Sequence, residues 1–229
     1  MHCRTEHIDQ SQKRDATIRA SEAAPQTNNQ AAEPLKIPGI TYHEINFNGK
    51  SFQKMLISKI TWLELFRLIF LMLFGYRLQA IAILTPSMEK SGVSGLAIDS
   101  LDVCKSEVRE YFDVLSVTDN YPVMVHCTQG KDRTGLTVML VLFLLGVPTE
   151  AIEADYALSD SELINEREER IKDMAKVGLS ERFARCSPGL AGKVEQHIKE
   201  KYGGIEGYLD FCGVTREVRA KVKETLLYT

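Results

Sequence analysis

A chain of 229 residues, 44% hydrophobic and 26% charged, can bury a substantial core and has the composition of an ordinary globular protein. Its formal net charge of -3 and pI near 6.0 exclude a whole-chain attraction to nucleic acid. The five cysteines form no Cys-x-x-Cys pair and no Cys/His ligand spacing, so zinc has no ligand set, and an odd cysteine count without a leading secretory signal points to a reducing, cytoplasmic setting.

Residues 9–36, rich in Gln, Asn, Ala, Ser and charge and without apolar periodicity, predict flexibility, which sets residues 1–36 apart from a folded domain over 37–229. Order is expected to resume at Ile37-Pro38-Gly39-Ile40, and Thr41 to Phe47 alternates as a strand does. Ile57 to Leu84 is an unusually apolar helical run with a break at Gly75. A membrane span needs about 20 mostly apolar residues; Glu64, Arg67 and Arg77 leave only Leu68 to Tyr76 free of charge. The expectation for 57–84 is therefore a helix pair that lids the site or packs on the core as an insertion, with peripheral membrane contact as the second reading.

A helix is expected from about Val93 to Leu115, a short buried strand over Tyr121 to Val125, and an apolar helix from Leu136 to Leu145. Further helices are expected over 150–158, 161–177, 190–202, 205–211 and 215–227, with Gly203-Gly204 and Gly213 as breaks. The run Asn165 to Arg170 reads as a solvated helix face. Strands and helices in this order predict an α/β sandwich, three layers around a short, mostly parallel central sheet.

Between the expected strand and the helix at 136 lies His126-Cys127-Thr128-Gln129-Gly130-Lys131-Asp132-Arg133-Thr134-Gly135. A strand-to-helix loop aims backbone N–H groups at whatever it encloses, and the helix dipole adds roughly half a positive charge there. The loop is thus an anion site, with Thr128, Gln129 and Gly130 forming the cradle. A thiol among such N–H groups and beside a guanidinium ionises below its free value of about 8.5 and becomes a nucleophile. Arg133 offers a planar fork suited to two phosphoryl oxygens. Attack of Cys127 on phosphorus gives a cysteinyl-phosphate that water then hydrolyses, a route that calls for neither metal nor cofactor. The Thr134 hydroxyl can bond the thiolate or cap the helix. His126 reads as a buried histidine ordering the loop from behind.

This stretch resembles the signature of cysteine-dependent tyrosine phosphatases. Its Lys-Asp-Arg-Thr-Gly ending is similar to the atypical group related to the secreted mycobacterial tyrosine/serine phosphatase, which includes bacterial and fungal enzymes. The likeness continues through Leu144-Leu145-Gly146-Val147-Pro148 and Ala154-Asp155-Tyr156-Ala157-Leu158-Ser159, covering about residues 37–226. It implies a tyrosine phosphatase-like fold and hydrolysis of phosphotyrosine, with phosphoserine or phosphothreonine as further substrates. It also implies Asp132 as the acid within the signature, and Lys131 as a contact to substrate phosphate connected with inositol phospholipids. No Trp-Pro-Asp sequence occurs; Asp99, Asp102 and Asp119 are the competing acids, with solvated helix charges the plainer reading of the first two. The upstream Asn-x-Arg-Asp-x-Gly-Gly-like motif of the group is absent and Arg4-Thr5-Glu6 resembles the end of an internal strand, so the chain reads as truncated there. The alternatives are a phosphoinositide phosphatase and a phosphate-binding pseudophosphatase.

Overall fold

A computed structural model of the chain describes residues 40–227. The flexible stretch expected over 1–36 and the Arg4-Thr5-Glu6 likeness lie outside the described residues. The chain divides after Glu44, and the unit that begins at Ile45 holds all the helices below.

The helices are α1 (Lys50–Ser58), α2 (Trp62–Leu73), α3 (Arg77–Val103), α4 (Lys105–Leu115), α5 (Asp132–Leu144), α6 (Thr149–Glu162), α7 (Arg167–Lys176), α8 (Leu190–Tyr202), α9 (Ile205–Cys212) and α10 (Arg216–Leu227). Several boundaries follow from local chemistry. Thr61 and Glu64 form a reciprocal capping box that starts α2, the Thr61 N–H donating to Glu64 Oε2 at 2.7 Å. Gly203 (φ 79°) and Gly213 (φ 82°) end α8 and α9 in the left-handed conformation. Gly75 (φ 79°) divides α2 from α3 as expected, and Gly92 (φ 64°, ψ 178°) breaks α3 into two stretches. The helix expected over 93–115 is interrupted at the fully buried Cys104, which separates α3 from α4.

The expected α/β sandwich with a central sheet is not formed. Among the described residues there is no strand: 41–46 and 123–127 carry no paired ladder. The alternation read there is physically real, since Val123 and Val125 pack on the core while Met124 is 85% exposed. A strand, however, needs a neighbour's N–H and C=O groups about 4.8 Å away, and no described segment supplies them. Helices satisfy their own backbones, so the core is built helix on helix.

α5 is the centre of that core. It buries Leu136, Met139, Leu140, Val141 and Leu144 and packs against α3, α6 and α9. Around it, α8 contributes Leu190, Val194 and Ile198, and α4 contributes Val108, Phe112 and Leu115. Each of these side chains adds about 1.5–3 kcal/mol of burial relative to exposure. The N-terminus of this helix is thereby fixed in space, and the cysteine loop ends on it.

Candidate active site

The chain runs from Val123 to Cys127 outside any helix or strand, turns at Gly130 (φ 68°) and enters α5 at Asp132. Only glycine adopts that φ without strain, which lets the loop fold back over the helix start. The Arg133 Nη2 donates to Thr128 Oγ1 at 2.9 Å, closing the loop on its exposed side.

Cys127 is half-buried. Desolvation pushes its thiol upward, but the Thr134 hydroxyl, the N–H groups of Thr134 and Gln129 and the Arg133 charge outweigh it. Together they hold it at about 7 against an ordinary 9.0. The Thr134 Oγ1 is buried without a hydrogen-bond partner of normal geometry. Its favourable effect on Cys127 belongs to the thiolate, so that hydroxyl is best satisfied when the sulfur is charged. The other described cysteines go the opposite way: burial pushes Cys104 to about 12 and Cys212 to about 11, and raises Cys186.

Asp132 starts α5 beside Cys127's loop. Desolvation raises its carboxyl above the usual aspartate range, against the opposing pull of Lys131, Tyr156 and Arg133. Its side chain keeps 42% of its surface. The Tyr156 hydroxyl donates to Asp132 Oδ1 at 3.2 Å and accepts from the Ser187 N–H at 3.3 Å. Two of its competitors are engaged elsewhere. Asp99 pairs with Lys59. Asp102 accepts 2.7 Å bonds from His197 Nε2, Lys201 Nζ and Tyr202 OH. Asp119 sits in a short turn over Thr118–Asn120.

Placement overturns the reading of Lys131 as an exposed loop lysine and of His126 as a buried histidine. Lys131, read as a phosphate contact or an exposed loop lysine, is 1% exposed. Its ammonium donates to the carbonyls of Phe183 (3.2 Å) and Arg185 (2.8 Å) and lies 3.4 Å from Asp132 Oδ2. A buried cation survives only when so paired. His126, read as buried, is exposed, with Nδ1 3.3 Å from the Cys127 carbonyl.

The brace that receives Lys131 was not read from the sequence. The short turn Glu181–Ala184 is clasped by Glu89 of α3, which accepts from the Ser180 N–H at 2.6 Å and pairs with Arg182 at 2.6 Å. Asp160 of α6 accepts from the Cys186 N–H at 3.0 Å and pairs with Arg167 and Arg185. The buried Tyr156 ring of α6 abuts Gly135, and a Cβ there would lie 2.8 Å from its Cδ2. Only the uninterrupted Asp-Tyr-x-Leu-Ser run hinted at this second layer. Among the described residues no group of His, Cys, Asp and Glu side chains could hold a metal ion.

A sequence profile described as the tyrosine phosphatase family matches residues 19–228. The chain is 33% identical over 123 residues to a triple specificity protein phosphatase, PtpB, of Mycobacterium tuberculosis, covering 46% of this chain and 44% of that protein. It is 32% identical over 129 residues to a tyrosine-protein phosphatase of Nostoc commune, covering 52% of this chain and 44% of the relative. The matched region thus spans less than half the length of these relatives.

Proposed function

Because the chain belongs to the tyrosine phosphatase family, we propose that it hydrolyses phosphotyrosine in proteins through a cysteinyl-phosphate. The observation that carries this reading is the thiol at about 7, between the Gln129 and Thr134 N–H groups and the Arg133 guanidinium. The phosphoryl oxygens occupy the loop cradle of Thr128 to Gly130, and Arg133 spans two of them. The Cys127 thiolate attacks phosphorus and the P–O ester bond breaks. Its electron pair leaves with the oxygen, to which Asp132 gives its proton. Water then attacks the phosphocysteine, Asp132 takes a proton from it, and the sulfur departs as thiolate, bonded by the Thr134 hydroxyl. Lys131 serves as a buried support for this loop. A second layer, Tyr156 above all, aims the Asp132 carboxyl.

The test is turnover of phosphotyrosine, phosphoserine and phosphoinositide substrates by the full chain and by Cys127→Ser. Phosphotyrosine turnover should fall at least about a thousandfold in the variant, because serine offers no anion at neutral pH, while phosphate-ester binding persists. Binding without turnover in the parent would instead identify a pseudophosphatase, and a preference for phosphoinositide would move the substrate to lipid.

A further inference from the structure

More than half of the large apolar side chains exposed among the described residues fall between Trp62 and Ile81. α2 buries none of its twelve residues. It rests on α3, and the residues that lose part of their surface there, Glu64, Leu65, Leu68 and Leu71, recur at helical spacing. Its outer surface presents Trp62 (77% exposed), Leu63 (83%), Phe66 (67%), Phe70 (57%) and Leu73 (79%). A helix apolar on nearly every side is normally a core helix, and a patch of this kind on a surface marks something that covers it.

Charge indicates what that is. Between Lys50 and Lys90 the chain carries six lysines and arginines against only Glu64 and Glu89, although the whole chain has a formal charge of -3. The apolar face therefore lies in a basic stretch of an otherwise acidic protein, with Arg67 on α2 itself and Arg77 exposed at the start of α3. A second copy of this chain would bring basic stretch against basic stretch. An anionic bilayer surface offers both a place for the apolar side chains and a complementary potential of about 1 kcal/mol per cation. No described helix is long and apolar enough to cross a membrane, so the fit is to the interface. Trp62 and Tyr76 bracket α2 (53% exposed for Tyr76), the positions that amphipathic rings take at the headgroup level.

We propose that the outer face of α2 is a docking surface for anionic membranes, lying flat in the interface with Trp62, Phe66, Phe70 and Leu73 inserted. The phosphatase reading is not needed for it. Trp62 is the only tryptophan in the chain, so its emission reports the event directly. The full chain, titrated with vesicles of phosphatidylcholine and phosphatidylserine, should show a blue shift of Trp62 emission and quenching by acyl-labelled lipid. Pure phosphatidylcholine vesicles should give a response at least tenfold weaker, and added salt should weaken binding. Because these side chains are exposed, Leu63→Ser/Phe66→Ser/Phe70→Ser should keep the parent's circular dichroism and melting temperature yet lose co-sedimentation at least tenfold. The proposal is overturned by emission that does not respond to vesicles or by a triple variant that sediments like the parent. Emission already blue-shifted without lipid, with a dimer mass that the triple variant abolishes, would assign the face to a second copy.

Discussion

Cys127 and Lys131, four positions apart in one loop, show how differently neighbouring residues are treated by their surroundings. At Cys127 the donors point inward and stabilise charge on sulfur; at Lys131 two backbone carbonyls and the Asp132 carboxylate surround the ammonium. The sign of the first effect fixes a pH dependence. The folded-state value near 7 lies below the ordinary 9.0, so the thiolate dominates above about pH 7 and is lost as pH falls through that value. Alkylation of Cys127 by iodoacetamide should therefore rise about tenfold per pH unit below 7 and level off above it. Cys104, Cys186 and Cys212, all shifted upward, should lag throughout. Mass mapping of the labelled sites at pH 6, 7 and 8 checks this; a Cys127 midpoint above 8.5 would contradict the activation of the thiol.

At the level of elements, the close approach of α5 and α6 depends on the missing side chain of Gly135. Alanine at a helical position is ordinarily better than glycine by about 1 kcal/mol. Here its Cβ would come 2.8 Å from the Tyr156 ring, which is 4% exposed. Gly135→Ala should cost a net of up to about 2 kcal/mol, an overpacking penalty of about 1–3 less the propensity gain. It should also carry the Tyr156 hydroxyl away from Asp132. A urea midpoint lower than the parent's is the expected result, and an unchanged or higher midpoint would mean the helices separate freely. What was legible here was local. The helices expected over 190–202 and 205–211, and the break at Gly75, follow from spacing and from glycines that end a turn. The strands were not, because alternation at Val123, Met124 and Val125 reveals which side is apolar but not whether a neighbouring chain lies within bonding distance.

In the whole molecule, the loop is held from α3 and α6 through a segment that follows α7 in the chain. Lys131 reaches across 52 and 54 residues of sequence to its two carbonyls, and nothing in its own neighbourhood announces them. That separation explains why the loop's chemistry could be read from ten residues while the burial of Lys131 and the exposure of His126 could not. Lys131→Met keeps the volume but strands two carbonyls and removes the cation beside Asp132. It should destabilise the fold by about 1–3 kcal/mol. It should also speed proteolysis around 180–187, which limited digestion would reveal; a melting temperature equal to the parent's would show that the brace contributes nothing.

The partners of Lys131 in that brace are main-chain oxygens. Every amino acid carries the same carbonyl, so the side chain at 185, 60% exposed, can drift over generations without the ammonium noticing. Lys131 can stay invariant while position 185 wanders. Two positions so related leave no correlated trace in a family's history, and a search for residues that change in step with Lys131 would look past the segment that holds it.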